Sequence, residues 1–248
     1  ETCIKKIRPK TYEIYGKGIM DDGTFFLDEN NLENYSTKFD NVLKCVNKSV
    51  GIVFIHSRYL SYGIETLALA LELQGYREFS IKSPNNMRSR LNNNPYDKYR
   101  IINKDTTELV DKNEESSKKV AKYIILSGDE KNKTELIRII AGDDKAFPNN
   151  EGESIKIILA TINVGISFKR VRQIHVLNGW WHLNLLEQII GRGIRNQSHE
   201  RLDKMLRNVT IFFYACSYPI DSDNEETNGG HQETFDEHMY RLAYLKDK

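Results

Sequence analysis

Five short apolar runs constrain the fold of this chain most strongly. Each has the length of a β-strand, and residues 50–55 form a continuous apolar run without polar–apolar alternation. The runs cover residues 50–55, 122–126, 155–160, 171–177 and 209–215. Continuous apolar strands suit a parallel sheet that is covered on both faces. Since helical patterns lie between the runs, the sequence predicts an α/β fold with a mostly parallel sheet flanked by helices.

The helices are predicted from apolar residues that recur at i, i+3, i+4 and i+7. They cover residues 36–47, 61–74, 131–141, 183–197 and 234 onward. Ser61 is expected to cap the second helix and Gly75 to end it. Thr234 and Glu237 form a capping box for the last helix, which carries Phe235 on its apolar stripe. We expect this helix to dock on the domain itself or on a partner domain.

The chain divides into a main domain and flanking segments. The expected parts are a linker or partial N-terminal segment (1–34), the main domain (35–215) with an insertion (82–119), a flexible connector (216–232) and a C-terminal helix (233–248). A hairpin is expected between residues 12–15 and 24–27. Because the first residue is Glu1, we expect a piece of a longer protein or a processed chain.

Composition excludes few functions. The formal net charge of the 248 residues is +1, which still allows a local basic surface for nucleic acid. Three widely spaced cysteines form no metal-ligand cluster and indicate a reducing compartment. No apolar run approaches the roughly 20 residues of a membrane span, so no membrane partner is expected.

The stretch from 180 to 199 carries the most specific chemistry. Gln188, Arg192 and Arg195 are spaced i, i+4 and i+7, so on one continuous helix they share a face. Guanidinium groups match phosphate oxygens well, although a solvated polar face is the plainer alternative. Gly191 and Gly193 weaken the helix, and Gly191 is the better candidate for a site where a bulky group approaches the backbone.

Two further regions could meet a ligand. His56, Ser57 and Arg58 follow the first apolar run, and ligands of open α/β sheets bind at the carboxyl ends of strands. A merely polar loop is the alternative there. The insertion mixes basic and aromatic residues that could contact nucleic acid, although a solvated loop is the commoner outcome. These residues are Lys82, Arg88, Arg90, Lys98, Arg100, Tyr96 and Tyr99.

Three motifs together resemble those of superfamily 2 helicases and related nucleic-acid-dependent ATPases. Residues 188–195 read Q-x-x-G-R-x-x-R and resemble the sixth motif. Residues 156–168 resemble the fifth motif and residues 51–58 the fourth, in the family's order. The tail of the sixth motif is similar to the helicase-like ATPases of poxviruses, asfarviruses and giant viruses. The resemblance covers about residues 35–214 and the last helix.

The resemblance implies a fold and a set of roles. The fold is the second RecA-like domain of a helicase core, with three α/β/α layers. Arg192 and Arg195 would contact the γ-phosphate of ATP, and Gln188 would link the nucleotide to the cleft. Gly165 and Gly191 would lie close to the nucleotide. The residues implied for nucleic-acid contact are His56, Ser57, Arg58 and Thr161. Ser167 departs from many relatives, which carry an acidic residue there.

No phosphate cradle of the form G-x-x-x-x-G-K-[ST] occurs in the sequence. ATP and Mg²⁺ would therefore be held mainly by an N-terminal RecA-like domain of the same protein, and the chain alone should be inactive. Other implied partners are DNA or RNA and viral transcription machinery, in the virion and the host cytoplasm. An inactive RecA-like scaffold that binds nucleic acid is the alternative. An unrelated α/β enzyme lacks support, because neither a dinucleotide turn nor a nucleophile elbow is present.

Overall fold

A computed structural model describes residues 3–96, 98–102, 107–111, 120–127, 133–161, 166–218 and 233–247. Its strands are β1 (Ile4–Arg8), β2 (Thr11–Ile14), β3 (Ile52–His56), β4 (Arg77–Phe79), β5 (Met87–Arg88), β6 (Lys98–Ile102), β7 (Thr107–Asp111), β8 (Lys122–Leu126), β9 (Ile157–Ala160), β10 (Val171–Val176) and β11 (Thr210–Phe213). Its α-helices are α1 (Leu32–Tyr35), α2 (Thr37–Asn47), α3 (Thr66–Leu73), α4 (Lys133–Ile140), α5 (Leu183–Gly193) and α6 (Phe235–Lys246).

The main sheet has seven strands in the order β11–β10–β3–β9–β8–β4–β5. Its neighbours are parallel except for β5, which runs antiparallel to β4. The five apolar runs supply β3, β8, β9, β10 and β11, as predicted. The short strands β4 and β5 were not predicted, because two or three residues carry no periodicity.

Helices cover both faces of this sheet, which explains why its strands lack polar alternation. Val53 and Ile55 of β3 point into a core beneath α2 and α3, together with Leu43 and Leu67. Ile52 and Phe54 point into a second core on the other face, beneath α4 and α5. Successive side chains of a strand face opposite ways, so two cores require apolar residues at every position. The predicted fold class, an α/β/α domain with a mostly parallel sheet, is confirmed.

Residues 3–34 contribute several side chains to the first core. Tyr12, Ile14, Phe25, Leu27 and Leu32 are all buried there. The hairpin predicted between 12–15 and 24–27 is wrong, because β2 pairs with β1 instead. Near the predicted turn, Ile19 and Phe25 form an isolated antiparallel β-bridge.

Two helix ends differ from the prediction. Ser61 does not cap a helix, since it lies inside a π-helical turn (Leu60–Glu65) that precedes α3. Gly75 ends this segment with φ +88°, as expected from its freedom in the left-handed region. Helix α5 stops at Gly193, four residues earlier than predicted, because the backbone of Ile194 is extended (φ −119°, ψ 100°).

The insertion contains β5 and the antiparallel hairpin of β6 and β7. Arg90 and Arg100 are buried, and Arg88 and Arg90 both pair with Glu78, each at 2.6 Å. The alternative of a nucleic-acid contact is not supported for Arg88 and Arg90, because both charges pair with Glu78 within the protein.

Helix α6 begins with the predicted capping box of Thr234 and Glu237. It docks on this domain through buried Met239 and Ala243 and through an ion pair between Asp236 and Lys38 at 2.7 Å. Phe235 was predicted on the buried stripe but is 71% exposed. No helix within the described ranges is long and apolar enough to cross a membrane.

Candidate functional site

The carboxyl ends of β9, β3 and β10 lie side by side at one edge of the sheet. His56 at the end of β3 is in register with Ala160 of β9 and with Val176 of β10. The backbone N–H of Ser57 donates to the carbonyl of Ala160 at 3.1 Å. This pairing brings Arg58 and Thr161, from the fourth and fifth motifs, to the same edge.

His56 lies beneath this edge and not on it. Its side chain is 1% exposed, and neither ring nitrogen has a hydrogen-bond partner within the part of the chain that the structure describes. Burial, together with the charges of Arg192 and Arg58, lowers the pKa of His56 to about 4. The imidazole is therefore neutral at pH 7 and cannot contact nucleic acid in this conformation, which corrects the prediction.

Ser57 holds the loop that follows β3. Its hydroxyl donates to Oδ1 of Asn178 at 2.9 Å and accepts from the backbone N–H of Tyr59 at 3.2 Å. A Cβ on Gly63 would overlap this hydroxyl, so the π-helical turn packs directly against it. Because Ser57 is 1% exposed, its predicted contact with nucleic acid is corrected to a role inside the loop.

Arg58 and Thr161 reach the surface. The guanidinium carbon of Arg58 lies 3.6 Å from the centroid of the Trp180 ring, a cation–π contact. Trp180 packs on the second core, whereas Trp181 beside it is 42% exposed. Thr161 is half-buried at the end of β9. Of the four residues predicted to meet nucleic acid, these two are placed to do so.

Helix α5 carries the sixth motif away from the carboxyl edge. It starts after the end of β10 and returns along the sheet, so its last turn lies near the start of β10. Gly193 would place a Cβ 2.9 Å from Ile174, and the N–H of Arg170 donates to the carbonyl of Ser198 at 2.9 Å. His199 bonds the carbonyl of Val171 at 2.6 Å and does not cap α5.

Arg192 ties α5 to the segment of the fifth motif. Its carbonyl accepts the N–H of Phe168 at 2.6 Å, and its Nη1 donates to the carbonyl of Ile166 at 3.3 Å. Partial burial, and then the charge of Arg195, lowers the pKa of Arg192. Gln188 lies one turn earlier on α5 and is exposed.

Arg195 lies beyond the helix, so the predicted common face with Gln188 and Arg192 is wrong for this residue. Its Nε donates to the carbonyl of Gly191 at 3.2 Å, and its backbone N–H donates to the hydroxyl of Ser198 at 3.2 Å. The side chain is exposed, and no carboxylate among the described residues forms an ion pair with it. Repulsion between Arg192 and Arg195 makes this end of α5 favourable for an anion.

The two glycines of α5 differ. Gly193 packs against Ile174 and Val171, whereas a Cβ on Gly191 would meet nothing within 4 Å. Gly191 therefore faces open space, where the prediction places a nucleotide. Gly165, the other predicted nucleotide contact, lies outside the described residues.

Sequence comparison relates the chain to proteins of large DNA viruses. It is 26% identical over 193 residues to a protein of Acanthamoeba polyphaga mimivirus named as an ATP-dependent RNA helicase. It is 27% identical over 232 residues to an African swine fever virus protein named as a termination factor NPH-I homolog. The chain's relatives are viral helicases and termination factors. The resemblance seen in the motifs is confirmed.

These matches cover most of the chain but a minor part of each relative. They include 76% and 86% of the chain, and 27% and 31% of the mimivirus and African swine fever virus proteins. A shorter match reaches 41% identity over 69 residues, with nucleoside triphosphatase I of Choristoneura fumiferana entomopoxvirus. No protein-family model matches. T4 UvsW, at 12% identity and a TM-score of 0.45 over 88% of this chain and 33% of that one, is too distant to argue from.

Proposed function

We propose that the chain is the C-terminal motor domain of an ATP-dependent superfamily 2 helicase or translocase. The similarity to viral helicases and nucleoside triphosphatase I supports this class of function. An N-terminal RecA-like domain of the same protein would complete the ATP site and hold most of the contacts to ATP and Mg²⁺. The lack of a phosphate cradle in the 248 residues supports that division.

The observation that carries the proposal is the exposed guanidinium of Arg195 at the end of α5. Its described neighbours supply carbonyl and hydroxyl groups but no paired carboxylate, so its charge is available to a phosphate. Arg192 would stabilise the same charge from the adjacent turn, with Gln188, Gly191 and Gly165 near the nucleotide. An arginine finger of this kind is worth roughly 10³ to 10⁵ in turnover.

The carboxyl edge would bind the backbone of DNA or RNA. Arg58 offers a guanidinium and Thr161 a hydroxyl, groups that position a strand through its phosphates without reading sequence. Trp181 offers an exposed ring for stacking on a base. His56 and Ser57 would support this surface from beneath.

ATP hydrolysis would be coupled to movement by closing and opening of the cleft between the two domains. ATP favours the closed state and products the open state, and the hold on nucleic acid differs between them. We place the protein in viral transcription, in the virion or the host cytoplasm, because one relative is named as a termination factor.

The experiment is an ATPase assay of the full-length protein with and without single-stranded DNA and RNA. A motor hydrolyses ATP faster when a polynucleotide is bound, and we expect at least a tenfold stimulation by one of the two. Hydrolysis that neither polynucleotide stimulates would contradict the motor. Nucleic-acid binding without any hydrolysis would favour an inactive RecA-like scaffold.

A further inference from the structure

A cavity of about 310 Å³ opens beside Arg195, between residues 167–170 and the turn at 195–201. Its lining includes four cationic side chains and one carboxylate, namely Lys169, Arg170, Arg195, Arg201 and Glu200. Three of the cations lie outside the sixth motif. The volume is at the lower end of the roughly 300–1,000 Å³ of small-molecule sites.

Positive charge in this cavity is only weakly compensated. Lys169 and Arg201 share one carboxylate, Asp143, at 3.4 and 3.5 Å, and all three side chains are more than 40% exposed. Exposed ion pairs of this length contribute little. Burial, and then the charge of Arg201, lowers the pKa of Arg170, so the cations repel one another. An anion between them would relieve that repulsion.

Arg170 places a positive charge beneath the cavity. Its side chain is 1% exposed, and its Nε has no hydrogen-bond partner within the described part of the chain. Its Nη2 donates to the carbonyls of Ala141 and Asn149. The guanidinium is therefore not reached by a ligand in this conformation, but its charge favours an anion in the cavity above it.

Two residues with strained backbone conformations line the cavity. Arg170 and Gln197 both line the cavity, and both adopt left-handed backbone angles (φ 60° and 62°). Such angles are uncommon for residues other than glycine and gather at ligand sites. Gly142 (φ 62°) must lack a Cβ, because one would overlap the Arg170 guanidinium. The left-handed backbone at Arg170 and Gln197 and the glycine at position 142 together fix the position of the Arg170 side chain.

We propose that this cavity binds phosphate groups through the exposed side chains of Lys169 and Arg201, with the buried charge of Arg170 beneath them. The ligand is either the triphosphate of a nucleotide or free phosphate after hydrolysis, since the chemistry recognised is the same. The inference rests on the proposed function, because Arg195 borders both sites. It adds that this chain holds phosphate by itself, through side chains that the helicase motifs do not include.

The experiment titrates tripolyphosphate, orthophosphate, ATP and adenosine into the 248-residue chain by calorimetry at low salt. The test variant is Lys169→Gln/Arg201→Gln, whose replaced side chains are 46% and 61% exposed, so folding should be kept. The control is Lys204→Gln, an exposed lysine three residues from Arg201 that does not line the cavity. Thermal melts of all three proteins check the fold.

We expect tripolyphosphate and ATP to bind with similar affinity and adenosine not to bind. The double variant should lose at least tenfold in affinity, while the control stays within twofold. Orthophosphate binding as tightly as tripolyphosphate would identify the site with the released product. Equal losses in the double variant and the control, or adenosine binding as tightly as ATP, would overturn the inference. Since Arg192 and Arg195 are intact in these proteins, that outcome leaves the ATPase test of the proposed function separate.

Discussion

The carboxyl edge of the sheet and the end of α5 differ in how far their polar side chains are paired with other groups of the protein. At the carboxyl edge, Ser57 and Asn178 bond each other, and Arg58 lies over the Trp180 ring. At the end of α5, Arg195 and Arg201 are exposed and meet few described acidic groups.

This difference separates groups that shape the protein from groups that are available to a ligand. Polar groups that form hydrogen bonds with one another fix a loop, and few of their donors and acceptors remain available to a ligand. Cations that repel one another gain more from binding an anion than from staying in water. We therefore place phosphate at the end of α5 and a lighter, positioning contact with nucleic acid at the carboxyl edge.

The largest effect on stability is expected from a larger side chain at Gly193, where α5 packs on the sheet. Gly193→Val would push side-chain atoms into Ile174 and Val171, and overpacking of this kind costs about 1–3 kcal/mol. We expect a loss of about 2 kcal/mol in the free energy of unfolding, measured by chemical denaturation. Gly191→Ala is the matched control, since it faces open space and should stabilise α5 by up to about 1 kcal/mol. Equal effects at both glycines would contradict the packing described.

The pH dependence of stability tests whether His56 is buried beneath the carboxyl edge. The pKa of His56 is about 4 in the folded protein and about 6.5 in the unfolded chain, so only the unfolded chain takes up the proton between these values. The contribution of neutral His56 to stability should be complete above about pH 7.5 and fall as the pH drops towards 4, by about 1 kcal/mol at pH 5.5.

The variant His56→Leu should lose about 1 kcal/mol less than the original chain between pH 7.5 and 5.5. Buried His175, with a pKa of about 4, and Lys156, whose pKa is lowered to about 7, contribute losses of the same sign that remain in the variant. An unchanged pH dependence in His56→Leu would show that His56 is reached by water and protonated in the folded protein.

The smallest expected effect concerns Arg58. Replacing it with Ala removes the contact with Trp180 and should cost about 0.5–1 kcal/mol of stability, together with a change in tryptophan fluorescence. If Arg58 also neutralises one phosphate, the salt dependence of nucleic-acid binding should weaken by about one unit of slope. Lys44→Ala, on the exposed side of α2, is the control for loss of one charge. An unchanged slope would remove Arg58 from the nucleic-acid surface.

The sequence was sufficient for the elements whose signals are local. The strands β3, β8 and β9 are apolar at nearly every position, and the capping box of Thr234 is contained in four residues. The order of the three motifs was sufficient to predict the similarity to viral helicases that sequence comparison confirms.

The sequence was insufficient to predict side-chain positions that depend on residues distant in the chain. Arg88 and Arg90 look like a basic surface until β4 and β5 pair and bring Glu78 to them. His56 ends an apolar run and looks like a ligand contact, yet its side chain is buried in the folded protein. The early end of α5 moves Arg195 off the helix, and nothing in the periodicity of residues 183–197 signals that break.

The most direct test of the account is the turnover of Arg195→Ala in the full-length protein, with nucleotide affinity measured on the same sample. We predict that ATP hydrolysis falls by roughly 10³-fold or more while nucleotide affinity changes little, because the guanidinium acts on the charge that develops during hydrolysis. Arg241→Ala removes an exposed arginine of α6 that pairs with Glu233, and should leave both quantities unchanged. Near-normal hydrolysis by Arg195→Ala would contradict the arginine-finger role.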